Sequence, residues 1–276
     1  MNPKVTFCLI VCISFLFVHC EDPIDVTVND SDPLLVVEGT INWIKETLQT
    51  EQEITLSLSS SYFSEQRIPA NGATVFVSDS KNVIYQFQEK ENSGIYFPID
   101  TLPYRVNEKF TLSIEYKNEL YSAEESLQPV VSIDSIRQET IDFFGREALQ
   151  FEAYSLDPEG EKNYSFFEFT SERLDAPEYN VYRDDFNDGG SYYGFLLDRD
   201  FETGDQIRIR QYGLSNIGYN YWYLLILQNT QQGGGGPFQT PPVNLNGNLI
   251  NQADNQKNPL GYFRVSEVSE VLYTVE

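Results

Sequence analysis

Apolar and polar residues alternate with a period of two along most of this chain, which predicts short β-strands rather than helices. Leu35 and Val37 alternate with Val36 and Glu38 ahead of Gly39. Ile54, Leu56 and Leu58 alternate with Thr55, Ser57 and Ser59, and Val75 and Val77 precede the turn-like run Asp79-Ser80-Lys81-Asn82. Phe110, Leu112, Ile114 and Tyr116 share one face, and Lys117-Asn118 turns the chain into Leu120-Tyr121-Ser122. Strands recur over 133–136, 149–154, 164–169, 192–197 and 207–211, and closing strands are expected over 260–265 and 271–275. The segment 171–190 is polar, studded with aromatics and ends in glycine, which reads as a long loop.

One stretch breaks this pattern. Ser215 or Asn216 can cap a helix over about 216–231, which Tyr219, Trp222, Tyr223, Leu225, Ile226 and Leu227 surround almost completely. A helix apolar on all sides is expected to be buried, and the sharper reading of its rings is a ligand-binding face. Gly233-Gly234-Gly235-Gly236 follows as a mobile loop. The expected fold class is mainly β. An immunoglobulin-like or transthyretin-like β-sandwich over 33–128 is followed by a second β-rich domain over 129–276 that carries the one buried helix.

The first residues change the picture. Lys4 precedes an apolar run over 5–18, then His19 and Cys20. A positive charge and about 14 apolar or small residues is signal-peptide anatomy, too short for the roughly 20 residues that span a bilayer. Cys20 at the end of that run resembles a bacterial lipobox, with His19 departing from the usual small residue. Cys12, after Leu9-Ile10-Val11, has too short an apolar run before it. The plainer alternative is an ordinary cleaved signal whose cysteine is incidental. The organisation expected is a signal peptide over 1–19, an acidic tether over 20–32 and then the two β domains.

Loss of residues 1–19 removes Cys8, Cys12 and His19, the only histidine, and leaves Cys20 as the only thiol. An internal disulfide, a Cys/His zinc site and a histidine-activated nucleophile are then all excluded. No enzyme activity and no cofactor are expected. The formal charge of −24 opposes nucleic acid and suits a solvated exterior.

Two clusters remain as candidate chemistry. Asp184, Asp185 and Asp188 lie in the densest run of carboxylates, yet neither register of an EF-hand loop fits, since Phe186 or Gly189 falls where an oxygen is needed. They are retained only as weak cation ligands beside the reading of a solvated turn. Tyr179, Tyr182 and Phe186 crowd the expected loop, and aromatics on a loop make partner-binding anchors. The alternative is that the tyrosines pin the loop down. A pair of carboxylates could also serve a hydrolase, but 42 acidic residues hide any such pair.

Several segments, taken in order, resemble the Bacteroidota lipoprotein family catalogued as domain of unknown function 4249. They are Cys20-Glu21-Asp22-Pro23-Ile24-Asp25, Leu35-Val36-Val37-Glu38-Gly39, Gly72-Ala73-Thr74-Val75 and Ile133-Asp134-Ser135-Ile136, then Pro241-Pro242-Val243, Gly247-Asn248-Leu249-Ile250-Asn251 and Leu260-Gly261-Tyr262-Phe263. The resemblance implies a lipid-anchored outer-membrane protein, facing the cell exterior and often associated with a TonB-dependent transporter, with no catalytic residues to carry over. Glu21 and Asp22 resemble the surface-export signal of that phylum. The expected function is binding, as an accessory to such a transporter. The alternatives are an independent glycan- or protein-binding adhesin and, further off, a carboxylate-dependent hydrolase.

If Cys20 is the anchor, Cys20→Ser should release the protein from membranes or leave it unprocessed, because no other segment is apolar enough to hold it. Fractionation checks this; full membrane retention of a correctly cleaved serine variant is the contrary result.

Overall fold

In the computed structural model, residues 32–47, 49–60, 66–185, 188–229 and 245–276 are described. Their alternation resolves into strands β1 (Leu35–Ile44), β2 (Thr50–Leu58), β3 (Ile68–Pro69), β4 (Thr74–Asp79), β5 (Ile84–Glu89), β6 (Ile95–Pro98), β7 (Lys109–Tyr116) and β8 (Glu119–Ser126). There follow β9 (Ser135–Asp142), β10 (Glu147–Leu156), β11 (Tyr164–Thr170), β12 (Glu178–Arg183), β13 (Ser191–Asp198) and β14 (Gln206–Gly213). The helix α1 (Asn216–Asn229), β15 (Leu249–Asn251) and β16 (Leu260–Thr274) complete the order. The chain is mainly β with sandwich-like sheets, as its patterning predicts, and one α-helix lies among the described residues.

A single sheet runs β12-β11-β14-β16-β1-β2-β6-β5-β4-β7-β8-β15, with β3 beside β2. Its middle folds around one core that includes Val37, Ile41, Ile54, Leu56, Val75, Phe110, Leu112 and Phe263. The ring closes because Gln128, just past β8, bridges Ser266 of β16 in parallel, while β16 pairs in parallel with β1 on its other edge. A second sheet, β13-β10-β9, covers one face of β11, β14 and the end of β16 over a core that includes Phe151, Phe167, Phe169, Leu196 and Ile209. The helix lies on the other face, against Phe166, Tyr212 and Val268. Strand β11 therefore buries both sides, with Phe167 and Phe169 toward the second sheet and Phe166 toward the helix. Leu249, Phe263 and Val265 return to the first core from the far end of the chain, and the longer sheet borders both cores.

Three expectations need correction. The closing strands over 260–265 and 271–275 are one strand, β16. Its middle, Ser266-Glu267-Val268-Ser269, reads as a break by polarity, yet all four residues are buried. Two of the three polar ones bond the passage between the cores, and the third bonds the end of β14. Ser266 Oγ donates to Gly213 O (2.6 Å), Glu267 Oε2 accepts Val130 N (3.0 Å), and Ser269 Oγ accepts Ile133 N (2.9 Å). Second, 171–190 is not one loop, because β12 lies within it, masked by its charged neighbours. Third, the helix is half-buried. Gly218 and Tyr219 are enclosed, but Ile217 and Tyr223 face solvent, so its apolar surround does not mean burial on all sides. Gly233 to Gly236 lie outside the described residues.

Gly261 shows how tight the β1–β16 seam is. Its φ is +99°, and a Cβ there would stand 2.0 Å from Val37 O. Gly145 also has positive φ (+76°) but opens on space. Gly261→Ala should therefore cost about 3 kcal/mol or more, from strain plus clash, and Gly145→Ala only about 1–2 kcal/mol. Urea unfolding of both variants checks this, and equal costs would contradict the tight seam.

Candidate functional site: an aromatic cleft beneath the helix

Alternation sends every second residue of five adjacent strands to one surface, and there they build a cleft of about 220 Å³ with the helix as its roof. Glu38 and Thr40 come from β1, Tyr262 and Arg264 from β16, Tyr212 from β14, Phe166 and Glu168 from β11, and Tyr179 from β12. The roof is Tyr221, Trp222 and Leu225. Register fixes the neighbours, with Glu38 opposite Tyr262, Thr40 opposite Arg264, and Glu168 opposite Tyr179.

Rings line the cleft in contact with one another. Phe166 lies 4.4 Å from Trp222 and 5.2 Å from Tyr179 between centroids, and Tyr221 stacks on Tyr262 at 5.1 Å. The Arg264 guanidinium sits 4.0 Å from the Tyr212 ring centroid and within 6 Å of Phe166 and Trp222, a cation–π cage. Among the described residues neither Arg264 Nε nor Trp222 Nε1 finds a hydrogen-bond partner, although both are enclosed. Buried donors without acceptors are costly and uncommon, and here two belong to residues that line one cleft. Glu168 accepts the Tyr212 hydroxyl at 2.6 Å. Burial pushes the Tyr221 hydroxyl up to about 12, with Glu38 adding to the shift.

Larger hollows exist, and charged groups in two of them are already paired. In one of about 580 Å³ beside Trp43, Lys45 bonds Val130 O at 2.7 Å and lies 3.7 Å from Glu267. In another of about 790 Å³, Glu51 receives Arg210.

The roof is anchored at its start. Ser215 caps the helix by accepting Gly218 N at 3.1 Å, and its hydroxyl donates to Glu125 Oε2 at 2.9 Å. Tyr262 donates to the same carboxylate oxygen. Strand β8 thus holds the helix over the cleft through one acid. Burial pushes the Glu125 carboxyl above its ordinary value, opposed by these hydrogen bonds.

The residues expected to bind are placed unequally. Tyr179 walls the cleft. Tyr182 lies on the opposite face of β12 and stacks on Tyr192 at 3.8 Å, so it belongs to the second core rather than to an exposed loop. Phe186, like Cys20, Glu21 and Asp22, lies outside the described residues. Asp184 and Asp188 converge with Asp157, which sequence reasoning passed over, while Asp185 pairs with Arg183 at 2.7 Å. Arg264, Tyr212, Glu38 and Glu168 were also missed. A signal existed for the first: Tyr262 and Arg264 alternate with buried Phe263 and Val265, which puts a guanidinium on a strand face beside an aromatic.

The fold and cleft define a β-rich protein with a small, aromatic-walled cavity. The chain belongs to the family described as Domain of unknown function (DUF4249), matched over residues 21–271. No curated protein matches it. Among solved structures it is similar to the two fibronectin type-III domain segment from chicken tenascin, at 11% identity, covering 67% of this chain and 93% of that one, with a TM-score of 0.22.

The Glu125 shift gives a pH test. A folded-state value above the ordinary 4.5 means that the contribution of Glu125 to stability is full below that pH and is lost as pH rises through the folded value. The stability of Glu125→Gln relative to wild type should therefore rise from about pH 4.5 toward neutrality. Urea unfolding across that range checks it, and a pH-independent difference would contradict the shift.

Proposed function

We propose that this protein is a lipid-anchored outer-membrane protein, exposed at the cell surface, that acts by binding as an accessory to a TonB-dependent transporter. The observation that carries the binding role is Arg264, held among aromatic faces with an enclosed Nε that no acceptor meets among the described residues. Such a site suits a compact ligand with a flat or ring-shaped face and oxygen acceptors, because rings stack on it while the guanidinium donates. Glu38 and Glu168 in the same cleft disfavour a strongly anionic ligand. The lipobox-like Cys20, the acidic residues after it and the family membership support the surface location and the transporter partner.

An independent glycan-binding adhesin shares the same cleft chemistry and differs in having no transporter partner. The hydrolase reading keeps one observation, the two carboxylates that share the cleft. It would require Glu168→Gln to abolish turnover of a bound glycan.

Purification from gently solubilised outer membranes tests the proposal. A co-purifying barrel is expected, and Arg264→Met, which retains the apolar stem against Tyr212, should weaken capture of that barrel or of its glycan at least tenfold. A lone lipoprotein would favour the adhesin. Undiminished capture of all partners by the folded variant would remove the cleft from the binding role.

A further inference from the structure

We propose a calcium site beside the second sheet, formed by Asp157, Asp184 and Asp188. They come from three separate places, just past β10, just past β12 and just ahead of β13. One carboxylate oxygen of each lies within 4.8 Å of the others. Two oxygens on opposite sides of a calcium ion, each about 2.4 Å from it, are about 4.8 Å apart, so all three can touch one ion. Magnesium demands shorter bonds of about 2.0–2.1 Å in a rigid octahedron, whereas calcium accepts irregular sets of carboxylate oxygens such as one drawn from three separate places in the chain.

Burial sets this cluster apart from acids on a surface turn. Asp157 is 2% exposed and Asp184 7%, and Asp184 Oδ1 has no hydrogen-bond partner among the described residues. A carboxylate oxygen that is taken out of water and left without a donor is costly, and a bound cation removes that cost. Among the described residues no lysine or arginine bridges to any of the three, whereas neighbouring Asp185 has Arg183. The scaffold is already set for convergence. Asp157 N donates to Gly190 O at 2.9 Å, and Asp184 N to Asn163 O at 3.0 Å. Gly189 N donates to Asp157 Oδ2 at 3.3 Å, and Gly160 N to Asp188 Oδ1 at 2.6 Å. Asp188 is exposed, which opens a path for the ion and for the waters that complete six to eight oxygens. The site revises the expectation of no metal. The missing ligand, Asp157, stands 27 positions before Asp184 in the chain, beyond any loop motif. An ion here ties β12, the edge strand that carries Tyr179, to β10 and β13.

Terbium luminescence on the full chain tests the proposal, with excitation through tyrosines such as Tyr182 and Tyr192. Sensitised emission should saturate at one ion per chain. Calcium should displace terbium, and magnesium should do so at least tenfold more weakly. Asp157→Asn and Asp184→Asn should each weaken binding at least tenfold, and Asp185→Asn should leave it unchanged. Millimolar calcium should raise the melting temperature of the wild type by several degrees over chelator, a readout that stands even if a variant fails to fold. No emission and no thermal shift in the wild type would overturn the site. Undiminished affinity in a folded Asp157→Asn variant would do the same, and equal competition by magnesium would overturn the assignment to calcium.

Discussion

A polar stretch in the middle of one long strand holds the two halves of this molecule together. Ser266, Glu267 and Ser269 are buried in β16, and each bonds the backbone of another segment. Two of those bonds go to the passage at 130–133, and the third to Gly213 at the end of β14. A buried hydrogen bond contributes only about 0.5–1.5 kcal/mol net, but leaving such a group unmade costs more, so these side chains select one docking of the passage over others. Before that stretch β16 lines the first core with Phe263 and Val265; beyond it, β16 pairs with β14 at the edge of the second. The closeness is backbone on backbone: a Cβ on Gly213 would stand 2.2 Å from Pro129 O.

The cleft follows from the same continuity. Outward positions of β1 and β16 continue into those of β14, β11 and β12, and the helix lies across them because Glu125 and Ser215 fix where it starts. Two separately closed domains would not give one surface to residues as far apart in sequence as Glu38, Phe166 and Arg264. The arrangement couples the cleft to both cores, so its rings are wall and packing at once. Phe166 and Tyr212 belong to the buried cluster under the helix while their edges face the cavity.

What could be read beforehand was whatever repeats locally. Strands such as β2, β7, β10 and β13 announce themselves by alternation, and the helix by losing it. What could not be read depends on partners distant in the chain. Strand β12 is hidden because Glu178, Asn180 and Arg183 dilute both of its faces, and Phe166 and Tyr192, which cover Tyr179 and Tyr182, come from other strands. The polar centre of β16 resembles a turn until its hydrogen-bond partners are known. Two of the three converging aspartates were noticed for their density, but Asp157 has no dense neighbourhood of its own. Arg264 had a local cue in its alternation with Phe263 and Val265, but nothing nearby marked it as lacking a partner.

The parallel seam between β1 and β16 also governs the order in which structure can form. It joins Val36 to Leu260, across a loop that contains nearly every other strand. Closure over so long a separation is slow, because its entropy is lost before any contact offsets it. A chain that emerges amino end first leaves its first core open along one edge until the last described strand arrives. Both hydrophobic cores then complete almost together, in one late event.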